Sequence, residues 1–89
     1  GFVEKGKGGP FTMDGHTRLG GKIPVNTSGG LKAKGHPIGA TGVGQVVEMT
    51  FQLREEAGER QVANARTALT HVLGGPGAVC AVHILQRDF

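Results

Sequence analysis

Asn26-Thr27-Ser28-Gly29-Gly30-Leu31-Lys32-Ala33-Lys34-Gly35-His36-Pro37-Ile38-Gly39-Ala40-Thr41-Gly42 is the stretch on which the reading of this chain turns. It sets one histidine in a bed of glycines, directly before a segment with helical character. Glycine reaches positive φ without strain and lets backbone approach a ligand closely. Proline just after the histidine suits the first turn of a helix, where its missing N–H costs nothing. The pattern predicts His36 at a helix N-terminus, on a surface shaped for close approach. Such a position suits an imidazole held against a carbonyl.

Downstream, residues 37–57 carry Val43, Val46, Val47, Thr50 and Leu53 at helical spacing, flanked by Met49 and Phe51. Gln45, Glu48, Gln52, Arg54 and Glu55 fall on the opposite, polar face. Gly39, Gly42 and Gly44 are poor helix formers, and close packing against a neighbouring element would account for them. Gly58 is a natural C-terminal stop. Residues 59–65 read as a short helical turn or a linker. Residues 66–73 read as a strand, Gly74-Gly75-Pro76-Gly77 as a tight turn, and 77–85 as a second strand. The second strand is nearly continuously apolar, which predicts burial on both faces. Gln86-Arg87-Asp88-Phe89 reads as a polar tail.

Upstream, eight glycines and prolines interrupt any period over residues 1–22, which read as loop. Phe11 and Leu19 are candidate anchors for that loop. Residues 23–36 begin with Ile23-Pro24-Val25, a short extended piece confined by its proline to a strand end or edge. The histidine loop follows. The chain thus reads as α/β: loop, short strand, loop, helix, strand, turn, strand.

Composition limits what this can be. Eighty-nine residues make at most one small domain, which buries only about 60–65% of its unfolded surface. Glycine is 17 of them, with four Phe and no Trp or Tyr, so backbone entropy is costly and core anchors are few. A part of a larger packed fold is the easier expectation. The single cysteine excludes an internal disulfide and fits a reducing, cytoplasmic setting. No run is apolar enough to span a membrane. Ten Lys and Arg against seven acids give a net charge of +3. Lys5, Lys7, Arg18, Lys22 and Lys32 could draw an anionic ligand, although a solvated surface is the simpler account. Without basic runs or interleaved aromatics, nucleic-acid binding is not indicated.

The histidine run resembles the thiolase family. Asn26, Gly29, Gly30, Gly35, His36, Pro37, Gly39, Thr41 and Gly42 match that family's pattern, while Lys32 stands where an aliphatic residue is common. The likeness extends from the opening Gly-Phe-Val-Glu-Lys-Gly-Lys-Gly-Gly-Pro-Phe to the Gly-Gly-x-Gly-Ala-Val ending. It implies residues 1–89 are the C-terminal part of a thiolase fold, a mixed sheet covered by helices. It also implies an acyltransferase acting on acyl-CoA thioesters, by condensing acetyl-CoA or cleaving a 3-ketoacyl-CoA. No cofactor is implied beyond the coenzyme A substrates, and no metal. The expected partners are CoA or acyl-CoA, the N-terminal part of the thiolase, and other subunits in a homo-oligomer.

Carried over residue by residue, the resemblance makes His36 the histidine that activates the nucleophilic thiol and stabilises the thioester oxyanion. That thiol belongs to the family's N-terminal part, so the 89 residues alone are expected to be inactive. Cys80 sits in an apolar strand and reads as a small core hydrophobe. His71 occupies the position of a second catalytic cysteine found in many thiolases, and Leu73 that motif's glycine. This departure resembles the sterol-carrier-protein and archaeal types. His71 is a candidate for lining the substrate pocket or for a polar strand end, and Leu73 or Gly74 for backbone N–H groups facing an oxyanion. Asn26 reads as tying down its own loop, and His16 and His83 as structural or exposed. Two alternatives stay open: a thiolase-fold aldolase or partner subunit in a CoA-thioester complex, and a small basic binding module.

Overall fold

The computed structural model describes residues 1–75 and 77–88. Three helices, α1 (Gly8–Met13), α2 (Gly30–Lys34) and α3 (Thr41–Leu53), precede a 3-10 turn at Gly58–Arg60. Strands β1 (Thr67–Gly74) and β2 (Val79–Gln86) then form an antiparallel hairpin, with Thr70 opposite His83 and Gly74 opposite Val79. The α/β reading stands, with the sheet of this chain being these two strands. The glycine-rich connection lies where expected, although Pro76 falls outside the described residues.

Several local expectations change. The segment 1–22 contains a helical turn, α1, which Pro10 can enter because it sits near the N-terminus, where amide hydrogens have no intrahelical partner. Ile23–Val25 is not a strand. It is held instead to the preceding loop, Ile23 N–H donating to His16 C=O and Val25 N–H to Thr17 C=O, both at 3.0 Å. Phe11 is half-buried against the His16 ring at 4.7 Å, whereas Leu19 is exposed and anchors nothing. The glycine-rich loop is interrupted by α2. Gly29 enters it at φ +95°, and a Cβ there would lie 2.5 Å from Ala33 Cβ.

The main helix is shorter than residues 37–57. Residues 37–40 form a turn in which Pro37 C=O accepts from Ala40 N–H at 2.8 Å and Thr41 N–H at 2.9 Å. At the other end Glu55 takes φ +61°, which stops the helix before Gly58 does. The glycines near its start do not mark close packing within this chain. A Cβ on Gly42 would sit 4.0 Å from Val72 Cγ1, and one on Gly39 would meet nothing within 4 Å.

The hairpin presents one face to α3 and leaves the other open. Thr70 is buried beneath the helix, flanked by half-buried Ala68 and Val72. Alternation puts Leu69, His71, Val82 and Ile84 on the other face, and all four are exposed. Burial of β2 on both faces is therefore not observed, since no element among the described residues covers its outer side. Cys80 is exposed there too, rather than being a core residue. Among the described residues, Leu53 and Ala57 are the buried apolar ones. The accessible surface is 6676 Å², against about 4900 Å² for a compact monomer of this mass. Large apolar side chains, Met13, Ile38, Val43 and Ile84 among them, contribute to that exposed surface.

What draws the segments together is polar. Gln52, 3% exposed, donates through Nε2 to Arg60 C=O at 2.7 Å and to Thr27 Oγ1 at 3.2 Å. Its Oε1 accepts from Val62 N–H at 2.8 Å. Glu48 takes Arg60 in two bonds, at 2.7 and 3.0 Å. The Arg60 guanidinium beside Glu48 holds its carboxyl below the ordinary value of 4.5, outweighing the opposing effect of burial. The polar tail also has a seat: Arg87 bonds Leu53 C=O at 3.3 Å and pairs with Glu55 at 3.1 Å.

Two outcomes follow. Gln52→Leu leaves half-buried backbone groups of Arg60 and Val62 without these partners and lowers stability by about 2 kcal/mol in equilibrium denaturation. It also strips hydrogen-exchange protection from the Val62 amide. Because the Glu48 pKa is depressed in the folded state, its stabilisation is present above the unfolded carboxyl's titration and is lost as pH falls through the folded value. Glu48→Gln therefore flattens the acid limb of a stability–pH curve measured below about pH 4.5, and an unchanged limb would show that the ion pair contributes nothing.

Candidate functional site

Two walls face each other across an open cleft of about 560 Å³. One is the turn after α2 and the start of α3: His36, Ile38, Gly39, Thr41, Gly42 and Val43. The other is the end of the hairpin: Val72, Leu73, Gly74, Gly75, Val79 and Ala81. The volume is in the range of small-molecule sites, and the lining is mostly apolar with one imidazole.

His36 follows α2, which Gly35 ends with φ +84°, and precedes the turn rather than the helix itself. Its ring is exposed, but its orientation is fixed. Nδ1 lies 2.7 Å from Thr41 Oγ1, the first residue of α3, and Thr41 is 6% exposed. The Thr41 hydroxyl also reaches Pro37 C=O at 3.1 Å. These two contacts compete for one hydroxyl proton. With the proton on Pro37 C=O, Nδ1–H donates and Nε2 is a free base. With it on Nδ1, Nε2 carries the hydrogen and is a donor. Either form leaves Nε2 as the nitrogen not engaged by Thr41.

Leu73 and Gly74 end β1, opposite Cys80 and Val79. Gly75 takes φ +58° in the turn, where a side chain would be strained. The structure thus brings His36, Leu73 and Gly74 to one cleft. It does not bring the fourth expected residue: His71 is not among the lining residues, its side chain is exposed, and its carbonyl accepts from Gln45 Nε2 at 3.1 Å. Cys80 does not line the cleft either. Asn26 stands at φ +52°, with its carbonyl bonded to Gly29 N–H at 2.8 Å and its side chain against Gly30. Lys5, Lys7, Arg18, Lys22 and Lys32 are all exposed. Among the described residues, no group of three or more His, Cys, Asp or Glu could hold a metal, and no helix is long and apolar enough to cross a membrane.

Reading the sequence missed the polar side of α3. Gln45, Glu48 and Gln52 were placed on the face opposite the apolar one, yet Glu48 and Gln52 are buried, while Val43 is 68% exposed. Thr41, Gln45, Glu48 and Gln52 recur at i, i+4, i+7 and i+11, the spacing of a buried stripe, and that was the available signal.

Comparison with known proteins adds a separate line. The family described as "Thiolase C-terminal domain-like" matches residues 1–87. The chain is 60% identical over 87 residues to an acetyl-CoA acetyltransferase of Methanothermobacter thermautotrophicus, covering 98% of this chain and 23% of that protein. It is 53% identical over 78 residues to sterol carrier protein 2 of Oryctolagus cuniculus, covering 88% and 14%. It is 42% identical over 76 residues to the benzoylsuccinyl-CoA thiolase subunit BbsB of Thauera aromatica, covering 84% and 20%. The chain spans less than a quarter of the length of these curated relatives.

The Thr41 contact is directly testable. Thr41→Val removes the hydroxyl while keeping the shape, so the His36 ring loses its fixed rotamer. Nitrogen-15 NMR of the ring then shows averaged tautomers, and an unchanged spectrum would mean that Thr41 does not orient His36.

Proposed function

Because the chain belongs to the thiolase C-terminal domain family, we propose that it forms part of an acyltransferase acting on acyl-CoA thioesters, with His36 as its acid–base residue. The observation carrying this reading is the shared cleft: His36 on one wall, Leu73 and Gly74 on the other. The relatives' names, acetyl-CoA acetyltransferase and thiolase subunit, favour the same chemistry.

In this reading His36 Nε2 accepts the proton of a cysteine thiol supplied from outside these residues. A thiolate is the nucleophile, and an adjacent base is what generates it. The thiolate adds to the thioester carbonyl, and Nε2–H together with backbone N–H groups at Leu73 or Gly74 receives the oxyanion. Collapse expels the thiolate of coenzyme A, which takes up the proton. The substrate is itself a coenzyme A thioester, and no resident metal or cofactor is invoked. Cys80 is not the nucleophile, since it lies on the outer sheet face and not in the cleft.

The exposed apolar surface supports a partner. Val43, Val47 and Phe51 on α3, and Leu69, Val82 and Ile84 on the sheet, are between 38% and 70% exposed. The remainder of the thiolase and neighbouring subunits would cover them, and a cytoplasmic location fits the single reduced cysteine.

In the complete acyltransferase carrying this segment, His36→Ala lowers kcat for acetoacetyl-CoA thiolysis by about 10²–10⁴-fold with folding unchanged. The 89-residue chain alone gives no turnover. Wild-type rates in His36→Ala would overturn the role given to His36.

A further inference from the structure

Four polar side chains run down one side of α3 and grip the segments around it. Thr41 holds His36, Glu48 holds Arg60, and Gln52 holds Thr27, Arg60 and Val62. Gln45 is the fourth. Its Nε2 donates to His71 C=O at 3.1 Å, two residues before Leu73. Thr41 and Gln45 are one helical turn apart, a rise of about 6 Å. They therefore tie the two walls of the cleft to neighbouring turns of one rigid element.

We propose that Gln45 is a positioning residue: it sets where Leu73 and Gly74 stand relative to His36. This rests on reading the cleft as an acyl-thioester site. The bond fixes the amide's orientation, because a carbonyl acceptor requires the nitrogen to face it. Gln45 Oε1, at the other end of the amide, is buried and has no hydrogen-bond partner among the described residues. Glutamine here is useful for the strand position it enforces. Thioester chemistry is sensitive to that position, because displacement of a catalytic group by about 1 Å costs up to about 10²-fold in rate.

The discriminating variant is Gln45→Met, which keeps length and volume and deletes the amide. It is made in the complete acyltransferase beside His36→Ala and assayed with acetoacetyl-CoA. The expected result is a kcat lower by about tenfold or more, a KM within about twofold, and a thermal midpoint close to wild type. Amide shifts from Val72 to Gly74 should move in the same variant. Unchanged kcat in Gln45→Met with inactive His36→Ala overturns the positioning role and leaves the site intact. A loss of kcat that merely follows a lowered thermal midpoint, with the Val72–Gly74 amides unmoved, also overturns it. Full activity in His36→Ala removes the reading of the site itself, and the proposal with it.

Discussion

One amide, that of Gln52, decides how the pieces of this chain sit together. From α3 it reaches the loop before α2, the turn after Gly58 and the backbone leading to β1. Hydrophobic burial cannot supply that geometry here, because Leu53 and Ala57 are the buried apolar residues among those described. Burial is also non-directional, whereas a hydrogen bond fixes distance and angle. Each such bond adds only about 1 kcal/mol net. The result is a chain whose geometry is well specified by its polar contacts and whose stability is modest until its open faces are covered.

Helix α3 explains why the two properties separate. One side is engaged and another is open. Thr41, Gln45, Glu48 and Gln52 grip neighbouring segments, Gly42 lies toward Val72 of the hairpin, and Val43, Val47 and Phe51 point outward. A helix apolar or engaged on every side is an interior helix. In this chain its outward side meets water. The same holds for the outer face of the hairpin, where Leu69, Val82 and Ile84 stand exposed in register. Two unpartnered apolar faces on one small chain exceed what a soluble monomer ordinarily shows.

This also decides what was legible from the residues. The Gly-His-Pro run, the helix after it, the two strands and the glycine turn were all readable, because each rests on local chemistry: turn residues, periodicity, strand composition. Helix α2 was not, since Gly29 and Gly30 argue against a helix and only their positive φ values reveal how the chain enters it. Ile23–Val25 read as a strand because its residues favour one, but it pairs with a loop rather than a ladder. The inversion of α3 was hidden for a different reason. Residue polarity alone does not reveal burial where the polar atoms are satisfied, as those of Gln52 and Glu48 are. For the candidate site, His36 stood out by its motif, whereas the Gln45 contact did not, because it reaches a backbone carbonyl 26 residues away.

The exposure of His36 is consistent with this picture rather than contrary to it. An imidazole in water is a weak catalyst: charges are screened, and developing charge on a thioester oxygen is already solvated. Preorganised donors are worth far more where water is excluded. Here orientation comes first. Thr41 has already fixed the ring, Gly75 has already shaped the facing turn, and the cleft between them stays open. Excluding water from the cleft would lower the local dielectric around the ring. On the proposed reading, His36 and the end of the hairpin form the oriented half of a reaction centre, and the strength of its electrostatics depends on how far water is excluded from the cleft.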